Sequence, residues 1–334
     1  YEAPFFADET FAAVDILERV PGGADSGAAM KESWALIEVK STTRIKAEHI
    51  QDVAVQLHVL RRSGLTVPRA ELMHLNRACT FPKLNDLFTR DDVTAAAEAL
   101  LPHVPGEIGR QLGMLRGPVP AVPIGPHCDS PYECPFKGRC WPPLPEHHIS
   151  TLYYVGIRRW ELEAQGIRTI HDVPDDFELH PAAARQRRAI RAGALVVDPG
   201  LAEALAGLEG PLAVLDFESV SPAIPVWNGC HPYDPVPAQF SCHFQDGGQW
   251  RSEHWIAEGA GDPRPELVRR VARACEGART ILAYHADYER YCLYLISEAL
   301  PELKETIEGI LARLVDALPL VRDYVYHPGF GGSF

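Results

Sequence analysis

The sequence predicts an α/β fold that is built twice along the chain. Short apolar strands surround one long amphipathic helix in the first third, and a second series of strand, hairpin, helix, strand and helix follows residue 210. Between them, 150–207 reads as several short helices, a natural connector. A chain of 334 residues is too long for one ordinary core. The expected division is therefore 1–145, a helical connector at 146–209, and 210–334.

The elements follow in order. Residues 11–17, Phe11 to Leu17, read as a buried strand carrying one acid, Asp15; a Gly/Asp/Ser-rich loop at 21–33 follows. Residues 34–40, Trp34 to Lys40, form the next strand, and the two make a hairpin. From 46 to 62 the apolar residues Ile50, Val53, Ala54, Leu57 and Leu60 recur at helical spacing, and Gly64 closes the run. Residues 69–78 alternate as a strand, and 91–101 read as helix. Prolines crowd 116–145. Beyond the connector come a strand at 211–218, a hairpin turning at Asp246-Gly247-Gly248, a helix at 265–276, a strand at 280–284 and a helix at 286–299. No internal repeat is visible.

Composition narrows the function. Hydrophobic residues make up 46% and charged residues 23%, as in soluble globular proteins. No apolar run approaches the roughly 20 residues that span a bilayer, so no membrane association is expected. Asp and Glu outnumber Lys and Arg by 45 to 32, a net charge of −13, which argues against gripping nucleic acid by bulk positive charge. It leaves room for an enzyme whose acids hold Mg²⁺ or Mn²⁺ against phosphates. Eight cysteines without a visible export signal point to reduced thiols in a cytoplasm. The chain opens at Tyr1 without Met and stops at Gly331-Gly332-Ser333-Phe334, so both domains read as truncated.

In a strand, Glu38 and Lys40 project from one face, and a neighbouring strand can bring Asp15 beside them. Two carboxylates form a donor set for a divalent metal that activates water and steadies charge on a phosphodiester. A lysine beside them can position the attacking water. The plainer reading is a solvent-facing Glu and Lys pair. The run Ile37-Glu38-Val39-Lys40-Ser41-Thr42, then Asp52-Val53-Ala54-Val55-Gln56, resembles the RecB-type nucleases of the PD-(D/E)xK class, from Phe11 to about Cys140. That resemblance implies a restriction-endonuclease-like fold, metal on Asp15 and Glu38, and a supporting catalytic role for Gln56.

Cys128, Cys134 and Cys140 stand at six-residue intervals among Pro and Gly. Three thiols in a looped backbone suit an iron–sulfur cluster or zinc once a fourth ligand is added. The rivals are zinc completed by His127, His147 or His148, and three unligated thiols. The resemblance implies a 4Fe-4S cluster whose first cysteine lies before Tyr1.

The connector, 152–173, vaguely resembles a helix-hairpin-helix, and Arg185, Arg187, Arg188 and Arg191 add local positive charge. A helical spacer with a solvated arginine face is the plainer alternative. Beyond it, Val214-Leu215-Asp216-Phe217-Glu218 puts two acids on one strand face. Asp-x-Glu there resembles the DEDD exonucleases, which have a ribonuclease H-like fold and hold two metals on four acids. Their second motif is matched by His285-Ala286-Asp287-Tyr288-Glu289, with Glu289 where the family has Asp and His285 where it has Asn. Val315-Asp316-Ala317 resembles the stretch that follows. The combination resembles a bacterial family joining a RecB-type nuclease to a domain of unknown function, DUF2779. Cys230-His231 and Cys242-His243 read as ordinary strand residues.

The expectation is thus a divalent-metal-dependent nuclease acting on DNA or RNA. Catalytic residues would be Asp15, Glu38, Lys40 and Gln56, with metal on Asp216, Glu218 and Glu289 in a second, exonuclease-like domain. The rivals are a nucleic-acid-binding or scaffolding protein with degenerate nuclease domains, and a hydrolase of small phosphoesters.

Overall fold

The strand Ser33–Lys40 and the helix after it show how the first half is organised. The computed structural model describes residues 2–20, 32–130 and 132–333; residues 21–31 of the expected loop lie outside the described residues. The fold is α/β. Residues Tyr1–Ala121 and Ser221–Pro235 form one unit, Val122–Val220 and Val236–Phe334 a second. The whole expected connector and the Cys128–Cys140 segment fall in the second.

In the first unit, β1 (Ala3–Ala7) and β2 (Thr10–Val14) make a separate two-stranded hairpin. Strands β3 (Ile16–Val20), β4 (Ser33–Lys40), β5 (Thr66–Leu75) and β6 (Phe88–Asp92) form a four-stranded sheet in that order. Helix α1 (Ala47–Arg62) crosses between the parallel pair β4 and β5. Its Val53, Ala54, Leu57 and Leu60 are buried against Leu36, Ala70 and Leu72 of the sheet. That burial supplies the stability that a free helix of this length would lack. Gly64, at φ +90°, makes the left-handed turn that releases the chain into β5. Helices α2 (Thr94–Leu100) and α3 (Val104–Arg116) follow.

Two expected elements are corrected here. The run 11–17 is not one strand: it breaks at Asp15, with β2 pairing β1 and β3 pairing β4. Residues 91–101 are not one helix: 91 and 92 end β6, whose polar Thr89, Arg90 and Asp91 pair with β5, and the helix begins at Thr94. Cross-strand pairing there overrides a weak local preference.

The second unit opens with α4 (Lys137–Cys140), α5 (Arg159–Ala164), α6 (Pro181–Ala192), β7 (Val196–Val197) and α7 (Leu201–Ala206). Its larger sheet holds β8 (Leu212–Val220), β9 (Val236–Asp246), β10 (Gln249–Ile256), β11 (Thr280–Ala283) and β12 (Leu314–Asp316), in the order β10-β9-β8-β11-β12. The first three strands are antiparallel neighbours, while β8, β11 and β12 run parallel. Helices α8 (Arg264–Ala274), α9 (Asp287–Ala299) and α10 (Lys304–Leu311) bury Leu267, Val271, Leu293, Ile296 and Ile310 against Ala213, Leu215, Phe217, Phe240 and Phe244. Strand alternation then leaves Val214, Asp216 and Glu218 on the opposite face of β8. Shortening a fully buried side chain in this core, Ile281→Val, is expected to cost about 1 kcal/mol. Chemical denaturation would measure it.

After α11 (Leu318–Arg322), β13 (Val325–Tyr326) pairs with β7, and Tyr326 joins a smaller core with Ile149, Leu162, Ile170 and Ile190. The arginines of α6 bond to segments around this smaller core. Arg185 is buried, donates to Asp198 at 2.7 Å and reaches the carbonyls of Arg322 and Asp323. Arg188 bonds the other Asp198 oxygen at 2.5 Å, Arg191 bonds Asp175 at 2.6 Å, and Arg187 reaches the Pro174 carbonyl. The expected basic patch is therefore spent largely on internal bonds: Arg185 is buried, while Arg188 and Arg191 stay exposed, as a solvated face would have them.

Candidate functional site

The hairpin register places Asp15 at the level of Glu38, because Ile16 pairs with Ile37. Its Oδ2 accepts from the Val39 backbone N at 2.8 Å, which fixes the carboxylate against the strand between Glu38 and Lys40. Glu38 is almost wholly buried at 7% exposure. A buried carboxylate needs donors for both oxygens. Oε1 receives Lys40 Nζ at 2.8 Å, and Oε2 receives Gln56 Nε2 at 2.6 Å from α1. Lys40 Nζ also donates to Asp52 Oδ2 at 2.8 Å. Burial works against the ammonium, but the bonds to Asp52 and Glu38 outweigh it and hold Lys40 above its ordinary range. Asp15, Glu38, Lys40 and Gln56 thus converge at one end of β4.

Three further residues of this neighbourhood were not expected there from sequence. Asp52 opens the run that carries the resemblance without a role of its own, yet it shares the lysine. His49 is buried at the start of α1, and burial, then the charge of Lys40, hold it below the ordinary histidine range. His74 is the register partner of Lys40 across β4 and β5. Its Nε2 meets Asp91 Oδ2 at 2.8 Å and its Nδ1 meets the Leu75 carbonyl at 3.0 Å. Both ring nitrogens thus lie against oxygens, which fixes the ring beside Lys40's strand.

The second constellation lies at the carboxyl ends of the parallel strands, where open α/β sheets commonly bind ligands. Asp216 and Glu218 stand on the uncovered face of β8. Beyond β11 the chain turns sharply at His285, which has a left-handed φ of +64°. Asp316 Oδ1 fastens that turn, accepting from His285 N and from Leu318 N, each at 2.9 Å. The turn opens α9, and Glu289 on its first turns comes to lie 97% buried beside Asp216. Burial pushes the Glu289 carboxyl above the usual carboxylate range, the Asp216 charge adds to this, and a backbone bond from Phe217 opposes it.

Two acceptors in these sites have no donor: Gln56 Oε1 in the first and Glu289 Oε2 in the second. An oxygen left so is one that a cation or a water would satisfy. Among the described residues, however, no three His, Cys, Asp or Glu side chains are arranged to hold a metal ion. What the chain offers are carboxylate pairs, each with an orphaned oxygen nearby. The cysteine segment does not converge either. Cys128 is buried in a tight turn, Cys134 is half-buried, and Cys140 is exposed at the end of α4. Lys137 and Arg159 bond Asp129 and lie over Trp141, tying the segment to α5.

The Cys-His pairs differ from their expectation in one case. Cys230-His231 is not in a strand: His231 Nδ1 lies 3.1 Å from the Cys79 carbonyl, and its N donates to buried Asp234, which Arg77 bonds at 2.6 Å. Cys242 does lie in β9, with its sulfur 3.7 Å from that of Cys275. No helix among the described residues is long and apolar enough to cross a membrane.

Residues 213–334 match the profile of a family described as Domain of unknown function (DUF2779), and a DUF2779 domain therefore occupies the sheet and helices from β8 onward. No curated protein and no solved structure matches the chain.

Proposed function

We propose that the chain is a divalent-metal-dependent nuclease whose principal site is the Asp15, Glu38, Lys40 and Gln56 cluster. The observation that carries this is the convergence of all four at one end of β4, around a buried carboxylate with a lysine on one oxygen. Asp15 and Glu38 would hold Mg²⁺ or Mn²⁺, which supplies activation of water and charge stabilisation at a phosphodiester. Lys40, held charged by Asp52 and Glu38, can donate to an attacking water or to charge developing on phosphate. Gln56 orients Glu38 from α1, with its own oxygen still available. Asp216 and Glu289, the pair that burial and charge bring together, would take a second cation at a site of exonuclease type, with Glu218 further along the same strand face and not in a three-ligand set with them. Cysteine-bound metal is not required by this chemistry.

The folds expected for such enzymes are supported in outline. A four-stranded sheet with α1 crossing between its parallel strands suits the PD-(D/E)xK reading. Three antiparallel strands followed by two parallel ones suit the ribonuclease H-like reading of the second unit.

A second reading is nucleic-acid binding without turnover. The lack of a three-ligand set among the described residues favours it. Incubation of end-labelled single- and double-stranded DNA and RNA with Mn²⁺ separates the two readings. Cleavage is expected, with Lys40→Ala lowering the first site's products, and Asp216→Ala the second's, by about tenfold or more. Tight binding with no product at saturating Mn²⁺ would establish the second reading instead.

A further inference from the structure

The two edges of the larger sheet in the second unit are unequal. Strand β12 has three residues, Leu314–Asp316, too short to recruit a neighbour. Strand β10 has eight, Gln249–Ile256, and is the opposite edge. It contains neither Pro nor Lys, and its two charges, Arg251 and Glu253, are of opposite sign, so they do not repel a second copy as a run of like charges would. Trp250 is 60% exposed and Ile256 64% exposed. A long edge of this kind presents unpaired backbone N–H and C=O groups to a partner strand.

The side chains say which partner fits. Antiparallel pairing of β10 with a second β10, centred on Ser252, sets Arg251 opposite Glu253 and Trp250 opposite His254. Two-fold symmetry repeats each pair, so the strand is complementary to itself in charge and in ring stacking. Alternation preserves the faces of the sheet: Trp250, Ser252 and His254 stay on the side of Asp216, and Arg251 and Glu253 on the side of α8. Within one chain Arg251 lies over the Phe244 ring and donates to the Glu276 carbonyl at 3.0 Å. Glu253 bonds Arg273 at 2.8 Å. Both charges are thereby fixed on the α8 side of β10, and a carboxylate can accept from two guanidinium groups.

We propose that β10 is a homodimerisation edge, pairing antiparallel with β10 of a second copy of this chain in the register centred on Ser252. The result is one ten-stranded sheet shared by two copies, in the order β12-β11-β8-β9-β10 mirrored about the centre.

Sedimentation or light scattering of the full chain across the micromolar range tests this. The parent chain is expected to dimerise. Arg251→Glu sets Glu against Glu253, and Glu253→Arg sets Arg against Arg251, so each variant alone is expected to associate about tenfold or more weakly. An equimolar mixture of the two restores both opposite-charge pairs and is expected to form the mixed dimer. Trp250→Lys weakens pairing while leaving Arg251 and Glu253 with their own partners, which covers the case in which a charge variant misfolds. A monomeric parent chain overturns the proposal. So does a parent dimer that the charge variants and Trp250→Lys leave intact, or two folded, monomeric charge variants that do not associate on mixing.

Discussion

Replacing Glu38 by Ala is expected to lower phosphodiester cleavage about a thousandfold, roughly 4 kcal/mol of transition-state stabilisation, while the chain stays folded. Glu38 contacts each neighbour differently. Lys40 keeps Asp52 at 2.8 Å when Glu38 is gone, so the ammonium remains ordered and charged. Gln56 loses the acceptor of its amide at 2.6 Å, a cost to stability of about 1 kcal/mol. A thousandfold loss with a melting temperature within a few degrees of the parent therefore reads the carboxylate itself. Glu38→Asp should recover part of the rate, because it keeps the charge and moves it back by one methylene. Cleavage by Glu38→Ala at the parent rate would remove this cluster from the mechanism.

The parity of β4 was enough to put Glu38 and Lys40 on one face, and helical spacing was enough to bury Val53, Leu57 and Leu60 against the sheet while α1 carried Gln56. What sequence could not supply were pairings across strands far apart in the chain. His74 and Asp91 are seventeen positions apart and meet only because β5 and β6 pair. Residues 91 and 92 looked helical because Thr-Arg-Asp-Asp carries no strand signal, and the partner strand alone decides its state. The break at Asp15 was invisible for a related reason: Phe11 to Leu17 is uniformly apolar apart from the acid, and it serves two different hairpins. The α6 arginines misled in the other direction. Four arginines in seven positions look like a patch for phosphate until Asp198, Asp175 and several carbonyls are found holding them.

Motif resemblance named Glu289 as a ligand in place of an aspartate, and its surroundings give that substitution a measurable consequence. The carboxyl is 97% buried, and its Oε2 has no donor. Burial and then the nearby Asp216 charge raise it above the ordinary carboxyl value of 4.5. A group whose folded-state value is raised favours the folded state only while protonated. Its stabilisation is complete below 4.5 and is lost as pH rises through the folded value. Glu289→Gln removes the charge and keeps the shape. Below pH 4.5 the variant and parent should therefore match, and above it the variant should become the more stable. Mn²⁺ should reverse that order. A cation satisfies Oε2, offsets the Asp216 repulsion and favours the ionised carboxylate, so at a hundredfold excess over Kd the parent gains about 2.7 kcal/mol. The Gln variant should lose most of that gain, with affinity lower by about a hundredfold. Thermal melts with and without Mn²⁺, across pH, read both effects independently of any cleavage. A metal-free variant less stable than the parent at neutral pH would mean that Glu289 has a partner in solution. A Mn²⁺ shift undiminished in the variant would place the cation elsewhere.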